Sequence, residues 1–124
     1  MPIYFQLVFA LLIWHAIADY PLQGDFLAKA KNHKAPIPGI WWAIPLVMHG
    51  LIHAGGVWLI TGFVSLAIVE LILHCIIDHL KCRGSINFAA DQFAHYFCKL
   101  MYAHAALKMS DWQFQFFQGL SNVQ

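Results

Sequence analysis

Histidines and acidic residues spaced four positions apart occur inside every long apolar segment of this chain. Residues four apart on an α-helix project from the same face. Eight histidines and six acidic residues are present among 124 residues, so random placement would give about 1.5 such pairs. The five pairs observed are His15 with Asp19, His49 with His53, Glu70 with His74, His74 with Asp78, and Asp91 with His95. The spacing predicts helices that each carry one polar face.

Outside these pairs the chain avoids polarity. Apolar residues make up 60% of the sequence and charged residues 10%, whereas a soluble domain carries about 25% charged residues. A small domain exposes much of its chain, and this one has too little polar surface to cover an apolar core. The composition therefore predicts an all-α, polytopic membrane protein in which residues 1–124 form a single membrane-embedded domain.

Four apolar segments approach or reach the length needed to cross a bilayer. We expect a four-helix transmembrane bundle with spans at about 3–20, 42–60, 63–80 and 88–107. A polar loop that includes a short helix near residues 24–32 separates the first two spans. The tail from Asp111 to Phe117 alternates aromatic residues with Gln, which predicts an interfacial C-terminal segment.

The basic residues orient these spans. A four-span chain places the loops after spans one and three on the same side, and positive charge favours the cytoplasm. Both termini are therefore expected to face the outside. Five of the seven basic residues lie in those two loops: Lys29, Lys31, Lys34, Lys81 and Arg83.

Net charge and cysteine usage exclude two classes of site. The formal net charge is +1, so the chain lacks the excess of basic residues that binds nucleic-acid phosphates. Cys75, Cys82 and Cys98 are odd in number and lack a C-x-x-C spacing, which indicates neither a disulfide framework nor a thiolate zinc site.

Ionisable side chains inside a span are costly to leave facing lipid. An Asp at the centre of a membrane helix costs about 2.5–3.5 kcal/mol, so these groups must turn inward, pair, line water or bind a cation. With the orientation above, all five pairs lie in the cytoplasmic half of the bundle. We therefore expect one polar site that opens toward the cytoplasm.

Imidazole and carboxylate groups are typical ligands of zinc, manganese and iron. The site is thus expected to hold a divalent metal, with zinc favoured, as one or two ions. The alternative is a metal-free hydrogen-bond network or proton relay. The candidate ligands are His15, Asp19, His49, His53, His74, Asp78 and His95.

Polar residues just beyond the spans on the same side are candidates for substrate binding. Gln23, Lys31 and Lys81 could hold an anionic head group or phosphate, although lysines that snorkel to the interface would have the same positions. Gln92, beside Asp91, either joins this substrate-binding set or caps the fourth helix. Lys99 follows His95 by four and could neutralise an acid on that face.

Together these motifs resemble the small bacterial and phage inner-membrane proteins of the domain of unknown function 3307 family. The resemblance extends to about Leu107. It implies a multi-span helical protein of the bacterial inner membrane and supplies no activity. The family pattern is H-x-x-x-D-F-x-L-Q, and Tyr20-Pro21 stands here where Phe and a free residue are common. The matching motifs are His15-x-x-x-Asp19 with Leu22-Gln23, Lys31, His49 and His53, Glu70-x-x-x-His74-x-x-x-Asp78-x-x-Lys81, and Asp91-Gln92-x-x-His95.

The sequence therefore predicts a membrane-embedded metal-dependent hydrolase that acts at the cytoplasmic face on an amphiphilic or lipid-linked phosphate or ester. Metal ligands would activate a bound water, and Glu70 or Asp91 would take its proton. The alternative is a non-enzymatic phage or bacterial membrane protein that binds metal or a membrane partner, with a structural or proton-conducting cluster. A homo-oligomer through Gly55 and Gly56 is also compatible with the sequence.

Overall fold

The computed structural model describes the backbone of residues 1–121 and the side chains of residues 1–113. This part of the chain contains five α-helices and no strand, which confirms the all-α class. The helices are α1 (Ile3–Asp19), α2 (Gly24–Ala30), α3 (Ala43–Thr61), α4 (Val64–Arg83) and α5 (Phe88–Ser121).

Local sequence signals set several helix ends. Asn87 precedes α5, and its side-chain oxygen accepts a hydrogen bond from the backbone N–H of Ala90 at 2.9 Å, as an N-cap residue does. Gly62 and Gly84 follow α3 and α4 with φ values of +77° and +83°, the left-handed conformation that closes a helix. Gly62 thereby allows α4 to fold back onto α3 after a very short turn.

The last helix is longer than the sequence predicts. We expect the fourth span to end near residue 107, but α5 continues to Ser121. No Gly or Pro interrupts residues 108–118, so the polar residues there do not stop the helix. The expected interfacial position of the tail concerns mainly side chains beyond Gln113, which lie outside the described residues.

Four helices form the bundle. α1 packs against α3 and α5, and α4 packs against the same two helices, with the most extensive contact between α3 and α4. α2 lies against α3 at the end of the bundle where α1 ends and α5 begins. Each of the four long helices therefore directs one face toward a shared centre.

The bundle has an apolar end and a polar end. The polar end contains the histidines and acids paired in the sequence. The apolar end lies around the C-terminal turns of α3 and the start of α4. Its buried residues are Leu11, Val57, Leu66, Tyr102, Ala103 and Ala106.

Only part of the described chain has the length and apolar composition of a membrane span. α3 meets both requirements, and α1 with α2 would meet them as one broken span bent by 82°. α4 carries Glu70, Asp78, Lys81 and Arg83, so its composition is too charged for the same test. Composition alone therefore supports one or two spans rather than the expected four.

Candidate metal centre

Five histidine rings from four helices converge at the polar end of the bundle. Each is at most 1% exposed. The rings of His53 and His74 stack with centroids 3.8 Å apart, and those of His74 and His95 lie 4.3 Å apart. His49 and His15 flank His53 at 4.7 and 5.0 Å. The i, i+4 spacing thus places all five rings in a single cluster, called the histidine cluster below.

One group of possible ligands surrounds Asp19 at the end of α1. Its Oδ1 lies 3.1 Å from His53 Nε2 and 3.4 Å from His49 Nε2. Together with His74 these residues place four ligand atoms within 4.8 Å of one another. His15 Nε2 contacts the other oxygen of Asp19 at 3.2 Å, so His15 stands beside this group rather than in it.

A second group comprises His74, Asp78 and His95. His74 Nε2 lies 3.6 Å from Asp78 Oδ2, and His95 Nε2 lies 3.5 Å from Asp78 Oδ1. Ligand atoms about 2.0–2.1 Å from a tetrahedral zinc ion stand about 3.4 Å apart. The histidine–carboxylate distances of both groups, 3.1–3.6 Å, are close to the edge length of such a coordination sphere.

Many imidazole nitrogens in the histidine cluster lack a hydrogen-bond partner among the described residues. A buried polar atom without a partner costs about 1–3 kcal/mol, and native proteins contain few of them. A neutral imidazole has one N–H donor and one nitrogen with a free lone pair, so each of these rings can offer one nitrogen to a divalent cation. The nitrogens without a partner are both of His15, His49 and His95, Nδ1 of His53, and Nε2 of His74.

Lysines neutralise three of the four carboxylates in the polar end. Lys31 hydrogen-bonds to Asp78. Lys81 Nζ lies 3.2 Å from Asp91 Oδ2, and Lys99 Nζ lies 2.5 Å from Glu70 Oε1. Asp19 is the one carboxylate of this cluster to which the described residues give no lysine partner.

Two glutamines form hydrogen bonds beside these acids. Gln92 donates hydrogen bonds to Asp19 Oδ2 at 3.2 Å and to Asp91 Oδ2 at 3.1 Å, so it links α1 to α5. Gln23 donates to the backbone carbonyl of Asp19 at 3.0 Å and thereby ties the turn after α1 to the end of that helix. Gln92 therefore hydrogen-bonds to side chains of the cluster acids, whereas the hydrogen bond described for Gln23 is to the backbone.

A polar cavity of about 270 Å³ opens beside the cluster. It lies between the α2 region and the end of α4. Because Asp78 belongs both to this cavity and to the second ligand group, the cavity connects the surface to the ligands. Its lining residues are Gln23, Ala28, Lys31, Asn32, Asp78, Lys81 and Cys82.

The remaining histidines lie outside the histidine cluster. His33 stacks on His79 with ring centroids 4.2 Å apart, and Trp42 lies 5.4 Å from both. Desolvation and the nearby charge of His79 lower the pKa of His33 below its ordinary value. His104 is exposed. Sequence spacing gives no sign of the His33–His79 stack, because its partners come from a loop and a helix far apart in the chain.

The structure brings the predicted site residues to one end of the bundle. Six of the seven candidate metal ligands fall in the two groups, and His15 is adjacent to them. Lys31 and Lys81 reach the same region from outside, as does Gln23. The two predicted proton acceptors, Glu70 and Asp91, are each 1% exposed and paired with a lysine.

Comparison with known proteins gives one match. The family described as protein of unknown function DUF3307 matches residues 7–123. No curated protein and no solved structure matches the chain.

Proposed function

The chain belongs to the DUF3307 family, and we propose that it is a membrane-embedded metal-dependent hydrolase. The observation that carries the proposal is the polar cavity that joins Lys31 and Lys81 to Asp78. It places a candidate metal ligand within reach of a solvent-accessible, cationic pocket, as hydrolysis of an anionic substrate requires.

The exposed surface supports a membrane position. Large apolar side chains point outward from all four long helices, and burying each one is worth about 1.5–3 kcal/mol. We therefore propose four spans in the bacterial inner membrane with both termini outside. The buried charged residues of α4 and α5 turn inward: Glu70, Asp78, Asp91 and Lys99. Examples of the outward side chains are Phe9 at 62% exposure, Leu59 at 78%, Ile72 at 54% and Phe93 at 71%.

The proposed catalytic ion is held by His74, Asp78 and His95. Three protein ligands leave a position for water in a tetrahedral site, and Asp78 borders the cavity. Zinc is the first candidate, with manganese and iron as alternatives. Asp19, His49 and His53 offer a second position of the kind seen in di-metal helical bundles. An ion at the first position would supply a nucleophilic water at neutral pH.

Asp91 is the better placed of the two predicted proton acceptors. Its Oδ2 is held by Lys81 and Gln92, while its Oδ1 has no hydrogen-bond partner within the described part of the chain. That oxygen lies 3.7 Å from His95 Nε2. Asp91 can therefore accept a proton beside the proposed ion.

The proposed substrate is an amphiphilic phosphate or ester. The ammonium groups of Lys31 and Lys81 each pair with one carboxylate, and an ammonium has three donors, so each can also donate to an anionic head group in the cavity. The cavity lies at the end of the bundle near which five of the seven basic residues occur. A head group in that position leaves its acyl chain beside the apolar outer surface of the helices.

Metal content and hydrolysis test this proposal together. Protein purified in detergent is expected to carry at least one zinc, manganese or iron per chain by elemental analysis. It should also release phosphate or fatty acid from micellar phosphate monoesters or carboxylic esters. Asp78→Asn should lower metal content by about one ion and abolish turnover, whereas the matched control Asp25→Asn, an exposed residue of α2, should change neither.

The two readouts separate the alternatives. A folded wild-type protein without metal would refute the metal centre. A metal-loaded protein that hydrolyses neither substrate class would support a non-enzymatic metal-binding protein instead.

A further inference from the structure

Lys99 is the largest fully buried side chain of the described residues. It comes from α5, on the apolar side of the histidine cluster, and its only charged contact in the described chain is Glu70 of α4. Its ammonium also lies 5.5 Å from the centre of the Tyr102 ring, a cation–π distance. Neither the cavity nor the proposed ligands include Lys99, so its burial needs another explanation.

Glu70 connects Lys99 to the histidine cluster. Its Oε1 lies 2.5 Å from Lys99 Nζ and 3.3 Å from His74 Nδ1, where it makes a hydrogen bond. The same oxygen lies 3.8 Å from His53 Nδ1. Glu70 therefore stands behind two of the candidate ligands, on the opposite side from Asp78.

The contact determines which nitrogen of His74 carries the proton. A carboxylate paired with an ammonium group only accepts hydrogen bonds, so His74 Nδ1 must be the donor. Nε2 is then left with its lone pair, and it is Nε2 that faces Asp78 at 3.6 Å. Carboxylates that hold metal-bound histidines in this way commonly strengthen metal binding.

We propose that Lys99 and Glu70 form a positioning pair that fixes the ring and tautomer of His74 for metal binding. The inference rests on the proposed function and reassigns Glu70, which the sequence suggested as a proton acceptor. Lys99 holds the Glu70 carboxylate in place and supplies its counter-charge inside the bundle.

The test compares two double variants that each remove both charges of the pair. Removing one partner alone would leave an unpaired buried charge and destabilise the fold, whereas replacing both by apolar residues of similar size is often tolerated. Glu70→Met with Lys99→Met removes the pair and the acceptor. Glu70→Gln with Lys99→Met removes the charges but keeps an oxygen that can accept from His74 Nδ1.

Cobalt titration followed by visible absorption measures affinity and coordination. Loss of a carboxylate behind a metal-bound histidine weakens metal affinity about 10–100-fold, so we expect a loss of that size in the Met/Met variant. The Gln/Met variant should recover most of the affinity. Equal cobalt affinity in wild type and both variants would show that the pair has only a structural role. That result would overturn the inference and leave the proposed metal centre unaffected.

A second measurement does not depend on metal. Nitrogen-15 spectra of histidine-labelled, metal-free protein in micelles report the tautomer of each ring, with His74 assigned from a His74→Gln sample. We expect His74 protonated at Nδ1 in wild type and a mixture of tautomers in the Met/Met variant. Protonation at Nε2 in wild type would overturn the inference, whereas absence of metal from a protein that shows the expected tautomer would count against the proposed function alone.

Discussion

Adding a single methyl group at Gly56 should disrupt the contact that brings α1 to the histidine cluster. An ideal Cβ at Gly56 would lie 1.9 Å from Nε1 of Trp14 and 2.0–2.1 Å from two other atoms of the indole. The same indole donates a hydrogen bond to the carbonyl of Ile52 at 3.1 Å. Trp14 directly precedes His15 in α1, so a displaced indole also disturbs the candidate ligands on that helix.

The expected size follows from three opposing contributions. Replacing a helical Gly by Ala stabilises by about 1 kcal/mol. Overpacking costs about 1–3 kcal/mol, and loss of the indole hydrogen bond adds about 0.5–1.5 kcal/mol. Gly56→Ala should therefore lower the free energy of unfolding by about 0.5–3.5 kcal/mol.

Gly55 provides the matched control. It is the adjacent residue of α3, and an ideal Cβ there would meet no described atom within 4 Å. Gly55→Ala should therefore keep only the helix-propensity gain of about 1 kcal/mol. Circular dichroism during unfolding in mixed micelles compares the two variants, and metal content reports the effect on the site. Equal stability of the two variants would refute the close α1–α3 contact.

Two further predictions concern the cavity and the ion. Lys31→Met should raise the KM for an anionic ester at least tenfold, because a hydrogen bond to a charged group is worth about 1.5–3 kcal/mol. Lys34 is an exposed residue of the same loop, so the control variant Lys34→Met should leave the KM unchanged in the same assay. In protein kept at a free metal concentration of 100 times the Kd, addition of a chelator should lower the free energy of unfolding by about 2.7 kcal/mol. An unchanged unfolding midpoint would count against a metal bound by the folded state.

Helical periodicity alone predicts much of the candidate site. The i, i+4 spacing identifies which face of each helix carries polar groups, and burial cost requires those faces to meet. The structure places His15, His49, His53, His74 and His95 together for that reason.

The pairing of individual charges depends on information that spacing does not contain. Spacing predicts that Lys99 neutralises an acid on the face of His95 but does not identify the acid, which the structure shows to be Glu70 of α4. Which acid it reaches depends on the rotation and depth of α5 relative to α4. These are set by packing at the apolar end, where Tyr102 and Leu66 meet in one core.

Segment ends were the least predictable part of the fold. Glycines past the ends of α3 and α4 mark those boundaries, but the start of polarity at Lys108 does not end α5. Polar side chains change whether a helix lies in water or in an apolar environment, but they leave its backbone hydrogen bonds intact. The ends of α3 and α4 instead coincide with Gly62 and Gly84, whose positive φ angles leave the helical conformation.

The balance of charge explains why a cation and an anion would bind this site together. Lysines neutralise Glu70, Asp78 and Asp91, and the polar cluster as described then retains the negative charge of Asp19. A divalent cation would reverse that balance to one net positive charge, a costly state in a low-dielectric interior. An anionic head group between Lys31 and Lys81 would remove the excess, so each ligand should strengthen binding of the other by the same factor. Metal affinity measured with and without inorganic phosphate should therefore rise with phosphate, and an unchanged affinity would contradict the coupling of the cavity to the histidine cluster.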